Sequence, residues 1–213
     1  MKALKAKPAK STSKSSKEPE FKAVLKDPAV REVFLPGNGV GIFAPHGGGI
    51  EPGTEEIARA VAQATGATLY VLSAKRPTGN TALHVTVTRM LTGISPKLDQ
   101  AIAATRVAIS IHGHGRTKDG GPVYVSGLAV EAVELCAGAM RHALRGAYEV
   151  VDEHDRIPDD LAGLDKDNII NRVPKKGVQI ELPRALRDEA VPAIRGAAAQ
   201  LVTALIEVVR ELG

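Results

Sequence analysis

The sequence predicts a single α/β domain whose open, mixed and largely parallel sheet lies between layers of helices. Short apolar strand patterns alternate with amphipathic helical patterns over most of the chain, and this alternation is typical of units in which a helix connects two parallel strands. The length of 213 residues is enough for one domain of ordinary size with a substantial core.

A lysine-rich segment precedes this domain. Residues 1–20 contain six lysines and two glutamates among Ser, Ala and Pro, so they bury too little apolar surface to offset the entropy of ordering. We expect a disordered tail over 1–20 and one domain over 21–213. Without the tail's residues, the chain's 28 basic and 24 acidic residues become 22 of each. A neutral domain with 3% aromatic residues argues against nucleic-acid binding.

Cysteine content and hydropathy indicate the compartment. Cys136 is the single cysteine, which excludes an intrachain disulfide, and its apolar neighbours predict a place in the core. No apolar run reaches the roughly 20 residues that span a membrane, and the tail has no apolar signal-peptide core. We therefore expect a cytoplasmic monomer without a membrane partner.

The first predicted elements surround a glycine-rich turn. The apolar run 39–44 predicts a buried strand that leads into it. A helix follows, which Thr54 can cap and Gly66 can end. Residues 67–73 predict the next strand.

The next two segments differ in character. Residues 83–88 alternate apolar and polar side chains, which predicts a strand with His84, Thr86 and Thr88 on one face. Residues 157–171, rich in Asp, Asn and Gly, predict a long irregular loop that could be functional. The remaining predicted elements are strands over 107–111, 122–126, 148–151 and 177–182 and helices over 96–105, 130–144 and 189–212.

A metal site is predicted where histidines follow strands. His46 and Glu51 lie on either side of Gly47-Gly48-Gly49, and a tight glycine turn lets imidazole and carboxylate converge. These are ligand types of catalytic zinc, which uses three protein ligands and a water. His112 or His114 supplies the third ligand, and we favour His112 because it is nearer the rigid strand. The alternative is a surface histidine beside a glutamate that caps a helix.

Further residues suit hydrolysis of an acidic amide. Glu181 lies between apolar residues of a strand, where burial would raise its pKa and suit it as general base and acid. An ion pair of Glu181 with Arg184 or Arg187 is the alternative. Asn171, Arg172 and Arg187 suit a substrate carboxylate, because guanidinium matches carboxylate in a bidentate fork. An exposed loop position without a binding role is the alternative for Arg172.

The motifs APHGGGIEPGTEEIA, ALHVT, ISIHGH, NIINR and GVQIELPRALR occur in this order between residues 39 and 187. They resemble the poly-γ-glutamate hydrolase family of phage and bacterial zinc enzymes, also called phage-related replication proteins. The resemblance implies a carboxypeptidase-like open sheet, one zinc per chain and endo-acting cleavage of γ-glutamyl amides. It implies His46, Glu51 and His112 as zinc ligands and Glu181 as the catalytic glutamate, with His84 near substrate. We also expect His114, if it does not bind the metal, to lie near substrate.

The sequence departs from the family pattern at residues 87–90, which lack an acidic-proline continuation, and at His114. Two other hypotheses therefore remain. One is a zinc-dependent deacylase of small N-acyl amino acids. The other is a DNA-binding, replication-related protein that acts through the basic tail, whose binding would weaken steeply with salt.

Overall fold

The computed structural model describes residues 20–115 and 121–213. Apart from Glu20, the predicted disordered tail therefore lies outside the described residues. The strands are β1 (Val30–Leu35), β2 (Val40–Gly48), β3 (Thr68–Ala74), β4 (Val107–His114), β5 (Val123–Gly127), β6 (Val150–Val151) and β7 (Gly177–Pro183). The helices are α1 (Phe21–Val24), α2 (Thr54–Thr65), α3 (Pro96–Ala103), α4 (Val130–Ala143), α5 (Arg184–Asp188) and α6 (Gly196–Leu212).

The strands form one seven-stranded sheet in the order β1-β3-β2-β4-β7-β5-β6. Four neighbouring pairs are parallel, while β1 runs antiparallel to β3 and β5 antiparallel to β7. The predicted open, mixed and largely parallel sheet is confirmed. Ligand sites in such sheets lie beyond the carboxyl ends of parallel strands, here those of β2, β4 and β7.

Both faces of the sheet are covered. Helices α2, α4 and α6 pack on one face around residues such as Ile57, Met140 and Leu205. On the other face, α1, α3 and the loops after β3 pack around Phe43 and Tyr70. Cys136 is fully buried in the first of these layers, and burial raises the pKa of its thiol to about 12. The predicted core position of Cys136 is confirmed.

The segment 83–88 is not a strand. It consists of a 3₁₀ turn at Asn80–Leu83, an extended stretch and a second 3₁₀ turn at Val87–Arg89. Burial nevertheless alternates along this segment as the sequence pattern does, because Leu83, Val85 and Val87 are buried. Alternating burial requires an extended backbone, but it does not require a partner strand.

Other elements also differ from the prediction. The final helix begins at Gly196 rather than near 189, because the ring of Pro192 disfavours the helical backbone conformation of Val191 before it. Gly53, with φ of 95°, occupies the N-cap of α2, while the Thr54 hydroxyl donates to the Glu51 carbonyl. The sequence patterns also missed β1, a half-exposed edge strand. No helix in the described parts of the chain is long and apolar enough to cross a membrane.

Candidate metal centre and active site

Three neighbouring strands carry the chemical groups of the site. His46 lies in β2, His112 in β4 and Glu181 in β7, and these strands are adjacent in the sheet. His112 and Glu181 are paired residues in the register of β4 and β7. All three side chains are at most 4% exposed. The sheet therefore fixes the spacing of the site.

The sequence predicted His46 at the end of its strand. In the structure, His46 lies within a bulge of that strand. The register of β2 against β3 shifts between Ala44 and Gly47, and Pro45 in this interval has no N–H to give to a neighbouring strand. A bulge redirects side chains relative to the regular pleat. The shift occurs at the residues that flank His46.

The glycine turn brings Glu51 back to His46. The Glu51 N–H donates to the His46 carbonyl at 2.8 Å, and the Gly49 N–H donates to Ala74 at 2.7 Å. Gly48 has φ of +66°, and a Cβ on it would lie 2.5 Å from the Ala74 carbonyl oxygen. The turn can therefore approach β3 this closely only with glycine at this position.

Three potential ligand atoms converge in front of the sheet. His46 Nδ1 lies 2.9 Å from Glu51 Oε1 and 3.2 Å from His112 Nδ1, and His112 Nδ1 lies 3.9 Å from Glu51 Oε2. Ligand atoms held tetrahedrally at about 2.1 Å from one zinc lie roughly 3.4 Å apart. Two imidazoles and one carboxylate at this spacing fit a catalytic zinc site.

Hydrogen bonds around the ligands orient them toward the same point. His46 Nε2 lies 2.8 Å from the Val85 carbonyl oxygen, which can only accept, so Nε2 carries a proton and Nδ1 is the ring nitrogen that can bind a metal. The Gly113 N–H donates to Glu51 Oε2 at 2.8 Å. His112 Nε2 is buried without a hydrogen-bond partner among the residues described.

The electrostatics keep His112 and Glu51 in the forms that bind metal. Burial, together with the neighbouring His46, lowers the pKa of His112 to about 3, so its ring is neutral at pH 7. Burial alone would raise the pKa of Glu51, but the nearby His46, His112 and His84 lower it to about 2. A neutral imidazole and an ionised carboxylate are the ligating forms.

Glu181 shares a pocket of about 580 Å³ with the three potential ligands. Burial, and to a smaller extent the negative charge of Glu51, raises the pKa of Glu181 well above the usual range. The alternative for Glu181, an ion pair with Arg184 or Arg187, is absent from the described residues, and Arg184 pairs with Asp188 instead. The other lining residues described are His84, Thr86–Thr88, Gly113, Asp159–Asp165, Asn168 and Gln179.

His84 lies at the mouth of this pocket. Its ring centroid is 4.0 Å from that of His46, and its Nε2 lies 3.7 Å from Glu51 Oε1. Its side chain is 40% exposed, unlike the buried His46 and His112. This placement beside the site, open to solvent, is the one expected of a residue near substrate.

Four residues that the sequence assigned to substrate binding are not among the lining residues of this pocket: His114, Asn171, Arg172 and Arg187. His114 Nε2 lies 2.9 Å from the Pro122 carbonyl oxygen, and His114 is not part of the group of potential metal ligands. Asn171 donates to the carbonyls of Gly163 and Asp165 at 2.8 Å each. The Arg172 guanidinium donates to backbone carbonyls, among them Met90 at 2.6 Å.

Arg187 is the clearest difference from prediction. It is 4% exposed and donates to the carbonyl oxygens of Leu182 at 3.1 Å, Pro52 at 2.8 Å and His114 at 3.3 Å. The guanidinium therefore joins three segments behind the site, and it does not line the pocket. The prediction assumed that the N–H groups of Arg187 were free to bind substrate. In the folded protein they donate to backbone carbonyls instead.

The sequence reasoning also missed residues that support the site. The Val85 carbonyl orients His46, and Gln179 contacts Glu181. Gln179 stands two residues before Glu181 and so shares its face of β7, which is a signal the sequence did contain. The predicted irregular loop contributes Asp159–Asp165 to the pocket, as its length and composition suggested.

Two solved structures are similar to this fold. A structure of a bacteriophage poly-gamma-glutamate hydrolase aligns with a TM-score of 0.75 and 27% identity, over 86% of this chain and 89% of that chain. A structure described as zinc-free YNDL aligns with a TM-score of 0.74 and 23% identity, over 89% of this chain and 94% of that chain. The second likeness concerns the fold alone.

Two curated relatives come from Bacillus subtilis (strain 168). The SPbeta prophage-derived UPF0714 protein YoqZ is 33% identical over 66% of this chain and 47% of its own length. The UPF0714 protein YndL is 29% identical over 68% of this chain and 53% of its own length. The chain thus spans about half the length of these relatives. Since the family model described as poly-gamma-glutamate hydrolase matches residues 19–198, the chain belongs to the poly-gamma-glutamate hydrolase family.

Proposed function

We propose that this protein is a zinc-dependent amidohydrolase that cleaves γ-glutamyl amide bonds. The observation that carries the proposal is the convergence of one atom each from His46, Glu51 and His112, all within 4.8 Å of one another, in the pocket that Glu181 also lines. Membership of the poly-gamma-glutamate hydrolase family supports the choice of reaction, and two imidazoles with one carboxylate are ligand types of catalytic zinc.

The residues of the site divide into two roles. His46, Glu51 and His112 would hold the zinc, and Glu181 moves protons. When bound, zinc supplies Lewis acidity, which lowers the pKa of a coordinated water toward about 7 and polarises a carbonyl. Glu181 accepts the proton of the attacking water and passes it to the leaving nitrogen as the carbon–nitrogen bond breaks. The products are a carboxylic acid and an amine.

The burial of Glu181 suits the second half of this role. A buried carboxyl releases its proton less readily than an exposed one, so after taking a proton from water it can hold that proton until the nitrogen leaves. Glu181 lies in the centre of the sheet, in a strand paired on both sides. This position holds its backbone in place during the reaction.

The charges of the pocket favour a second candidate, a deacylase of small N-acyl amino acids. Its described lining includes the carboxylates of three loop aspartates, Asp159, Asp160 and Asp165, but no lysine or arginine. Carboxylates that line a pocket repel a polymer that carries one negative charge per unit. A small amide with few charges meets less of this repulsion.

Chelation followed by metal restoration tests the proposed function. We expect purified protein to shorten poly-γ-glutamate chains, to lose this activity when a chelator removes metal, and to regain it when zinc is added. Full hydrolysis by metal-free protein would contradict the proposal. N-acyl glutamate incubated in parallel separates the candidates, because a deacylase releases glutamate from it without shortening the polymer.

A further inference from the structure

Gln179 connects the candidate general base to the loop that lines the pocket. It lies in β7, two residues before Glu181, and is 5% exposed. Its Nε2 donates to Glu181 Oε1 at 3.0 Å and to the Leu161 carbonyl oxygen at 3.1 Å, and its Oε1 accepts from Asn168 Nδ2 at 2.8 Å. Both amide protons and the amide oxygen of Gln179 are therefore engaged.

The network fixes which way the Gln179 amide faces. The Ile170 backbone N–H can only donate, and it donates to Asn168 Oδ1 at 3.3 Å. Asn168 must therefore present its NH₂ group to Gln179, whose oxygen accepts it. The Leu161 carbonyl can only accept, and it independently requires the Gln179 nitrogen on its side. Two separate hydrogen bonds therefore require that the NH₂ group of Gln179, and not its oxygen, faces Glu181.

The same residue is pressed against the pocket loop. Gly163 has φ of +64°, and a Cβ on it would lie 2.7 Å from Gln179 Cβ. Leu161 and Gly163 both line the pocket, and the Leu161 carbonyl is held by Gln179. Gln179 thus fixes the loop and Glu181 relative to each other.

Among the described residues, the Glu181 carboxylate accepts a hydrogen bond through one of its two oxygens. Oε1 accepts from Gln179, whereas Oε2 makes no hydrogen bond to a residue in the described ranges. Since the hydrogen bond to Oε1 restrains rotation of the carboxylate, it also sets the direction of Oε2. Oriented groups of this kind lose little entropy in the transition state.

We propose that Gln179 is the positioning residue of the reaction: it holds Glu181 Oε1 so that Oε2 faces the water and the leaving nitrogen, and it keeps the pocket loop against the base. The inference rests on the proposed function, because it assigns proton transfer to Glu181. Gln179 itself touches neither substrate nor metal in this role.

The test replaces Gln179 by Met, which has similar length but no amide, and by Glu, which keeps the acceptor for Asn168 but loses the donor. For zinc-loaded full-length protein we expect kcat to fall about 10–100-fold, as for other residues that orient groups around a metal site. KM should stay within about twofold and zinc content should be unchanged. Melting temperatures identify any variant that fails to fold.

A double-mutant cycle separates positioning from a structural role. In a Glu181→Ala background, Gln179→Met should lower the residual rate no further, because the group that it positions is gone. An equal loss in both backgrounds would overturn the proposal. Ser126→Ala is the matched control, since Ser126 is buried and pairs with Gln179 in the sheet register but makes no hydrogen bond to Glu181. It should keep wild-type kcat.

Crystal structures give a readout that does not depend on activity. In Gln179→Met we expect the Glu181 carboxylate to leave its wild-type rotamer while His46, Glu51 and His112 stay in place. An unmoved Glu181, or wild-type kcat in both Gln179 variants, would overturn the inference alone. Undiminished hydrolysis by Glu181→Ala would instead overturn the proposed role of Glu181, whatever the Gln179 variants do.

Discussion

At the scale of single residues, Arg187 shows how burial decides the role of a charged side chain. Its guanidinium donates to carbonyls of the glycine turn, of β4 and of β7. A Cβ on Gly113 would lie 2.3 Å from Arg187 Nε, so the two residues are packed together directly behind Glu51, a potential metal ligand. Arg187 therefore supports the backbone of the site.

We predict that Arg187→Leu lowers the free energy of unfolding by about 3 kcal/mol, because it leaves buried carbonyls without a donor. Urea unfolding measures this change. Arg184→Ala is the control: Arg184 is exposed and, within the described parts of the chain, forms an ion pair only with Asp188, so its loss should cost about 0.5 kcal/mol or less. An Arg187→Leu protein of wild-type stability with a raised KM would instead support the substrate role that the sequence suggested.

The sequence identified the residues that converge but not those that orient them. His46, Glu51 and His112 could be predicted because ligand residue types stand beside glycines at the ends of apolar runs. The contacts of Gln179 with Leu161 and Asn168 join residues 18 and 11 positions apart through an irregular loop. No periodic pattern encodes such contacts, and the free donors assumed for Arg187 and Asn171 are used within the fold.

At the scale of elements, the glycine turn after β2 determines where Glu51 lies. Residue 48 combines a positive φ with a close approach to β3, and both favour glycine at this position. The helix α2 begins directly after the turn, at Thr54, so a displaced turn would also displace the start of the helix.

We predict that Gly48→Ala destabilises the metal-free protein by about 2 kcal/mol or more, because it combines left-handed strain with a backbone clash. Zinc affinity should fall as well, since Glu51 would move. Gly138→Ala is the opposite case: Gly138 lies in α4, and a Cβ there would meet nothing within 4 Å. It should stabilise by about 0.5–1 kcal/mol through helix propensity. Equal unfolding free energies for the two variants would contradict this account of the turn.

Elements with strong local signals were predicted well, and those set by tertiary context were not. The helix α2 ends at Gly66 in the left-handed conformation, as its sequence indicated. The segment 83–88 has a strand-like pattern, but the Val85 carbonyl is used by His46. The backbone of this segment therefore orients a residue of the site instead of pairing with a strand. No local sequence pattern indicates such a contact.

At the scale of the whole molecule, strand order assembles the site. The order β2-β4-β7 places three strands side by side although β4 and β7 are more than 60 residues apart in the chain. Alternating strands and helices predicted the α/β class, and the comparisons confirm the family. The order of strands could not be read from the periodicity of any segment, because it depends on long-range pairing.

The metal content of the purified protein tests the central claim most directly. Elemental mass spectrometry should find about one zinc per chain in the wild type and none in His46→Ala, Glu51→Ala or His112→Ala. His84→Ala and His114→Ala are controls that should keep the metal, since neither belongs to the converging group. A wild-type protein that binds no zinc when zinc is supplied, or one that loses it with His114→Ala and keeps it with His112→Ala, would contradict the account.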